Sequence, residues 1–417
     1  MRLPALLPLG PLTSPRLLRC GALALAPQLM LAFGVDPTLA EGELPGRAVV
    51  LWGAWTALAP VLLLFLWPRL PSACLALAAS TAVLFFSCPY NAARFHGMQV
   101  VLLTLATLAV ALAGARGARP ARALVRLALV AVVLLACEGV AATIGRTHSV
   151  GYTLASRLWF ARHWREPRNS LGYRDVEHVE DGRRKLFVLG DSFVAGVGIA
   201  DVRERFSDRL QAALGEHTQV HNLGFNGADT RQEAYLLETY PFRPDVLVLS
   251  YYINDILGAA AALGHREPPF RPYANLAPPL AWLVTRSYLL DFVYWLLPQR
   301  DQAGIRKHLA RCFTWPEVVA LHEQDLQHIV DWTRAKGCDL IAVVFPSLIQ
   351  LEESAAWVAP ALGVFARNGV PALDVRTLLR DLAPEERVIN QNDPHPSARV
   401  HALVAEALRV QVEALGR

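Results

Sequence analysis

Apolar positions follow two different rhythms along this chain. In the first third they run together: Ala48 to Trp67, Leu70 to Tyr90, Met98 to Ala115 and Leu127 to Gly145 are nearly unbroken apolar stretches. Each is long enough, as a helix, to cross about 30 Å of hydrocarbon. A shorter stretch, Gly21 to Val35, is interrupted by Pro27 and Gln28 and fits a signal peptide, a half-span or a fifth helix. Charge chooses among these. With five helices and the N-terminus inside, Arg2, Arg16, Arg19, Arg69 and the cluster Arg116, Arg119, Arg122 and Arg126 stay inside, and the outer loops keep Arg47 and Arg94, as Lys and Arg favour the cytoplasmic side. Only Thr38-Leu39-Ala40 resembles a small-residue cleavage site, which weakens the signal-peptide reading. Residues 1–148 are therefore expected to form an all-α transmembrane region of about five helices, with the C-terminal part outside the membrane. Glu138 is the one charged residue within the four long stretches, and a carboxylate there requires a polar partner.

From Ser149 onward the rhythm changes. Short apolar runs, Lys185 to Leu189, Gln219 to Leu223, Asp245 to Tyr251, Asp339 to Phe345 and Ala372 to Val375, alternate with the helical patterns Arg203 to Leu214, Arg231 to Thr239, Trp315 to Ala335 and Ser397 to Leu415. This alternation predicts a parallel sheet flanked by helices, and such sheets carry their ligands at the carboxyl ends of the strands. Residues 149–417 are thus expected to form an α/β domain. The Pro- and aromatic-rich segment 257–313 interrupts it as a cap or insertion beside the strand ends. Within that segment Leu280 to Leu297 is apolar and reads as a packed cap helix, with a lid, an acyl-chain pocket or an interfacial contact as the alternatives.

Composition sharpens the picture. Of 417 residues, 53% are hydrophobic and 18% charged, against roughly a quarter charged in ordinary soluble domains. The net charge of +4 comes mostly from scattered Arg without a Lys/Arg run, which argues against nucleic-acid binding. Arg-rich, Lys-poor usage fits a bacterial protein, so the expected location is the cytoplasmic (inner) membrane, multi-pass, with an extracytoplasmic C-terminal domain. Cys20, Cys74, Cys88 and Cys137 lie in apolar stretches as small hydrophobes; Cys312 and Cys338 remain as an open disulfide question. There is no Cys or His metal spacing, phosphate loop or dinucleotide fingerprint, so no metal and no cofactor are expected. His322 and His328 point to different sides of one helix, and Asp229 with Glu233, one turn apart, reads as a solvated face.

Four segments at the strand ends carry candidate chemistry. The first strand runs into Gly190-Asp191-Ser192-Phe193, where a serine at a helix start has its hydroxyl near oriented backbone N–H groups; it is either a nucleophile or a plain N-cap. The second ends in Asn222-Leu223-Gly224-Phe225-Asn226-Gly227, whose glycines allow close main-chain approach. The third ends in Tyr251-Tyr252-Ile253-Asn254-Asp255, giving an amide donor suited to an oxyanion or, alternatively, a helix cap. Near the C-terminus, Asn392-Asp393-Pro394-His395-Pro396-Ser397 holds a histidine between prolines with an acid two residues away, the setting of an oriented general base.

These residues together resemble the SGNH, or GDSL-like, hydrolase superfamily over about Asn169 to Leu415. Ser192 matches the block I nucleophile, Gly227 the block II glycine, Asn254 the block III asparagine, and His395 with Asp393 the block V base and its partner. Asn169 to Arg174 is similar to a segment preceding block I in envelope-associated bacterial members. Three positions depart from the pattern: Phe193 replaces Leu, Ile253 replaces Gly, and Asp393 stands two rather than three residues before His395, with Asn392 at the usual spacing. The resemblance implies a three-layer α/β/α, flavodoxin-like SGNH hydrolase domain and serine attack on an ester. Ser192, His395 and Asp393 would be catalytic, and the Ser192 and Gly227 backbone with the Asn254 amide would form the oxyanion hole. The expected activity is a membrane-anchored serine esterase acting on an acylated glycan or lipid of the cell envelope. An O-acyltransferase using the same serine and a catalytically silent envelope-binding scaffold are the alternatives.

Overall fold

The computed structural model describes residues 130, 133–134, 137–149, 151–165, 167–297 and 300–415. The predicted helices at 21–35, 48–67, 70–90 and 98–115 lie outside the described residues, as does the beginning of the one at 127–145. Among the described residues no helix is long and apolar enough to cross a membrane. Two compact units are present. One is the described part of Met1–Gly145 with Leu276–Leu296, the other Arg146–Asn275 with Leu297–Arg417.

The larger unit contains α1 (Leu154–His163), β1 (Arg184–Gly190), α2 (Ser192–Ala195), α3 (Phe206–Leu214), β2 (Thr218–Gly224), α4 (Thr230–Thr239), β3 (Val246–Tyr252) and α5 (Ile256–Ala262). Between α5 and the next helix of this unit, the smaller unit contributes α6 (Pro278–Val284) and α7 (Tyr288–Leu296). The larger unit continues with α8 (Arg300–Cys312), α9 (Pro316–Lys336), β4 (Asp339–Phe345), α10 (Ala355–Arg367), β5 (Ala372–Asp374), α11 (Arg376–Leu379), α12 (Pro384–Arg387), β6 (Val388–Asn390), β7 (Asp393–Pro396) and α13 (Ala398–Leu415).

Strands β1 to β5 form one parallel sheet in the order β2-β1-β3-β4-β5. Successive side chains of a strand point to opposite faces, and here both faces are covered, which is why the strands read as continuous apolar runs. Leu186, Val188, Val246, Val248, Ile341 and Val343 pack on one side with Phe206 and Leu210 of α3 and Val400, Val404 and Leu408 of α13. Phe187, Leu189, Leu247, Leu249, Ala342 and Val344 pack on the other with Leu237 of α4, Ile329 of α9 and Phe365 of α10. Each fully buried Val, Leu or Phe contributes about 1.5–3 kcal/mol, so the two apolar layers hold the sheet rigid and fix its carboxyl edge.

Two predicted elements differ from what is observed. The helix expected from Arg203 begins at Phe206, after a 3-10 turn at Val202–Glu204. The break lies at Arg205, whose backbone is extended and whose buried guanidinium bonds the Arg174 carbonyl at 2.6 Å and the Asp208 carboxylate at 2.8 Å. The single cap helix expected at 280–297 is two short helices, α6 and α7. Between them Ser287 donates its hydroxyl to Glu138, and the Tyr288 N–H donates to the same carboxylate at 2.7 Å. Glu138, buried within the smaller unit, thus caps the start of α7 and obtains the polar partner its position requires. Cys312 and Cys338 are both free, buried thiols belonging to different apolar clusters.

Candidate active site

Strand β1, between β2 and β3, delivers Asp191 and Ser192 to the carboxyl edge of the sheet. Asp191 caps α2, its Oδ1 accepting the Phe193 N–H at 2.9 Å. Ser192 is the first residue of that helix and its Oγ lies 2.9 Å from His395 Nε2. His395 Nδ1 lies 2.5 Å from Asp393 Oδ1. All three side chains are buried. His395 lies 203 residues further along the chain on β7, which pairs antiparallel with β6. Pro394 and Pro396, expected to stiffen a turn, lie in this short strand. The carboxylate that meets the imidazole belongs to Asp393; Asn392 spends its N–H on the Asn390 side chain at 2.9 Å. Burial pushes the Asp393 carboxyl up, but the His395 charge and hydrogen bond outweigh it and leave the group below the ordinary carboxylate range.

Asn254 sits in a 3-10 turn, Ile253–Asp255, at the end of β3. Its Nδ2 donates to Asp191 Oδ2 at 3.3 Å, the atom that also lies 3.3 Å from Ser192 Oγ. Asp191 is therefore the link between the serine and the amide. Burial raises its carboxyl pKa, while the Phe193 N–H and the His395 charge oppose the rise. Gly227 occupies the loop between β2 and α4 with φ +82°, and a side chain there would meet open space, so backbone conformation rather than crowding selects glycine. That loop starts beside the serine, since the Phe225 N–H donates to the Gly190 carbonyl at 2.9 Å. Gly224 makes the close approach, not toward a ligand but against α2: a Cβ there would lie 2.1 Å from the Ala195 nitrogen.

Several residues quoted in sequence motifs have roles that the sequence did not assign. Arg174 donates to the carbonyls of Ala195, Gly196 and Ile199 at 3.3, 2.8 and 2.9 Å, which braces the segment after the serine helix. Burial lowers its pKa to about 10, which leaves it charged. Asn222 donates to the Val194 carbonyl at 2.8 Å and to Ser207 at 2.7 Å. Phe193, the replacement for leucine, stacks on Tyr252 at 4.1 Å and lies 5.6 Å from the His395 ring. The expected solvated face at Asp229 and Glu233 is corrected: Asp229 caps α4, and Glu233 is buried. Neither Glu233 oxygen has a hydrogen-bond partner among the described residues. Burial, then the Asp191 and Asp229 charges, push its carboxyl well above the ordinary value. His322 is buried while His328 is exposed and paired with Glu238, so the two do not converge. Among the described residues no three His, Cys, Asp or Glu side chains are grouped to hold a metal ion.

A comparison with curated proteins finds no match. Among solved structures, a carbohydrate acetylesterase family member from Sinorhizobium meliloti is 15% identical, covering 55% of this chain and 98% of its own, with a TM-score of 0.34. A lipase/acylhydrolase from Enterococcus faecalis is 15% identical, covering 55% and 96%, with a TM-score of 0.34. The native aryl esterase of M. smegmatis is 14% identical, covering 56% and 99%, with a TM-score of 0.33. The assignment rests instead on residues 188–403, just over half of the chain, which match the family described as GDSL-like Lipase/Acylhydrolase. That match contains Ser192, Gly227, Asn254, Asp393 and His395, and the chain belongs to the GDSL-like lipase/acylhydrolase family.

Proposed function

We propose that the chain is a membrane-tethered serine esterase that cleaves acyl esters of a cell-envelope glycan or lipid outside the cytoplasmic membrane of a bacterium. The observation that carries this reading is the contact of Ser192 Oγ with His395 Nε2 at 2.9 Å, with Asp393 on the far ring nitrogen at 2.5 Å. In the proposed cycle His395 takes the Ser192 proton while Asp393 holds the tautomer, and Ser192 attacks the acyl carbonyl. The oxyanion is met by the Asn254 amide and the Ser192 and Gly227 backbone N–H groups, each donor worth about 2.7–4 kcal/mol of barrier. His395 returns the proton to the leaving alcohol. It then activates water, which releases the acid and restores the serine. Support for tethering comes from the apolar stretches of the first third and from Val133, Leu134, Val140 and Ile144, exposed on the described part of the 127–145 stretch.

A fluorophosphonate probe tests the nucleophile in detergent-solubilised full-length protein. Wild type should label, whereas Ser192→Ala and His395→Ala should not. Absence of labelling in folded wild-type protein would refute the esterase reading, and a C-terminal reporter active only in the cytoplasm would refute the topology.

A further inference from the structure

A cavity of about 660 Å³ opens in the larger unit, within the range of small-molecule sites. Ile253, adjacent to Asn254, and Pro394, between Asp393 and His395, are part of its wall. The cavity therefore meets the serine site along two of the segments that build it. Residues 267–270 and Ile305, Arg306 and Leu309, from the two flanks of the inserted segment, also line it.

The lining mixes flat rings with polar groups. Tyr152, Tyr252, Phe270 and Trp357 face the space, each partly exposed. Phe270 stacks on the His148 ring at 5.7 Å and lies 5.3 Å from the Tyr152 ring. Burial holds the His148 imidazole neutral, its pKa lowered to about 4, and the charged groups of the lining are Glu267 and Arg306. Gln350 and Gln391 belong to the same lining.

Two kinds of ligand compete for such a space. An alkyl chain gains about 0.8 kcal/mol per buried methylene, but each carboxamide it strips of water without replacing the hydrogen bonds costs about 1–3 kcal/mol. A sugar ring offers an apolar C–H face to the aromatic rings and a rim of hydroxyls to the amides, which both donate and accept. The lining matches the second ligand. We propose that this cavity seats the sugar portion of an O-acylated glycan and presents its ester to Ser192; this rests on the esterase reading above. The bond cleaved joins the sugar oxygen to the acyl carbonyl. The acyl group passes to Ser192, the sugar leaves with the proton carried by His395, and water then takes the acyl group.

The test uses full-length protein in detergent and the variants Phe270→Ala and Gln391→Leu. Two readouts are combined. The first is kcat/KM on partly O-acetylated xylo-, chito- and manno-oligosaccharides relative to p-nitrophenyl acetate. The second is calorimetric binding of the same oligosaccharides, without acetyl groups, to Ser192→Ala. The expected result is that at least one oligosaccharide binds and that both variants lower the oligosaccharide-to-nitrophenyl ratio at least tenfold. The proposal is overturned if no oligosaccharide binds, or if the variants instead abolish a preference for p-nitrophenyl octanoate over the acetate, which would make the cavity an acyl-chain site. Calorimetry reads the cavity without catalysis. Sugar binding to a protein whose Ser192 never labels would therefore uphold the cavity while removing the esterase.

Discussion

Replacing Gly224 by alanine puts a methyl group where β2 and the serine helix leave no room for one. The added Cβ would lie 2.1 Å from the Ala195 nitrogen and 2.6 Å from the Ala195 Cα and the Val194 carbonyl carbon, all backbone atoms that no rotamer change can withdraw. An ordinary contact begins at 3.4 Å, so α2 must retreat from the sheet by about 1.3 Å. The same nitrogen donates to the Asp191 carbonyl at 3.1 Å, the bond closing the first turn of α2, so the retreat reaches Ser192 directly. Misplacement of a reacting group by about 1 Å costs on the order of 10²-fold in rate, and overpacking of this kind costs about 1–3 kcal/mol of stability. Gly224→Ala should therefore remain foldable, yet label with fluorophosphonate and turn over p-nitrophenyl acetate on the order of a hundredfold more slowly than wild type. Thermal melting supplies the stability readout in parallel. A variant that labels and turns over within about threefold of wild type would refute the claim that this backbone contact sets the position of the nucleophile.

Three further outcomes follow from the buried charges. Asp393→Asn keeps the size of the group but loses the charge that orients His395, so esterase kcat should fall on the order of 10²–10⁴-fold with the melting temperature little changed; steady-state kinetics at a single pH decide it. Burial lowers the His322 pKa to about 3 and neither ring nitrogen has a hydrogen-bond partner among the described residues. The unfolded chain therefore takes up a proton below about pH 6.5 that the folded chain refuses, and stability falls as pH drops through that window, by at most about 2 kcal/mol at pH 5. His322→Phe should narrow the gap in melting temperature between about pH 7.5 and pH 5, and an unchanged gap would contradict this account. Glu233 has the opposite sign. Its carboxyl is pushed up by burial first, so folding loses stability as pH rises above the ordinary value, and Glu233→Gln should stabilise more at about pH 8 than at pH 5. Melting curves at the two values test it.

The strands were legible because a parallel sheet covered on both faces needs unbroken apolar runs. Four of the five runs predicted begin and end within one residue of β1 to β4, and the last differs from β5 by one residue. The long helices α4, α9 and α13 were legible because each carries an apolar stripe between capping signals. The start of α3 was not, because the helical pattern continues through Arg205 while its side chain is drawn inward by carbonyls from distant segments. Glu233 was misread for a related reason: spacing puts it on the same face of α4 as Asp229, but which face covers the sheet is decided by packing. Ser192, Asn254, Asp393 and His395 stood out because they cluster at strand ends in one chain order. Asp191 was quoted in the same motif without a role, since its link to Asn254 spans 63 residues and leaves no local trace. Arg174, quoted as the end of the Asn169 to Arg174 segment, had no role of its own for the same reason, as its five carbonyl partners belong to segments before and after it.

The bond between Ser192 and His395 joins positions 203 residues apart, and that separation acts as a clock. A ribosome finishes β1, β2, β3, β4 and β5 before it reaches β7, and only afterwards makes α13, whose His401 accepts the Phe206 N–H at 3.1 Å. A nascent chain halted anywhere before Asp393 carries Ser192 and Asn254 but neither His395 nor the helix α13, whose Val400, Val404 and Leu408 cover one face of the sheet. The contact between Ser192 and His395 can therefore form only once β7, the last strand, has been made.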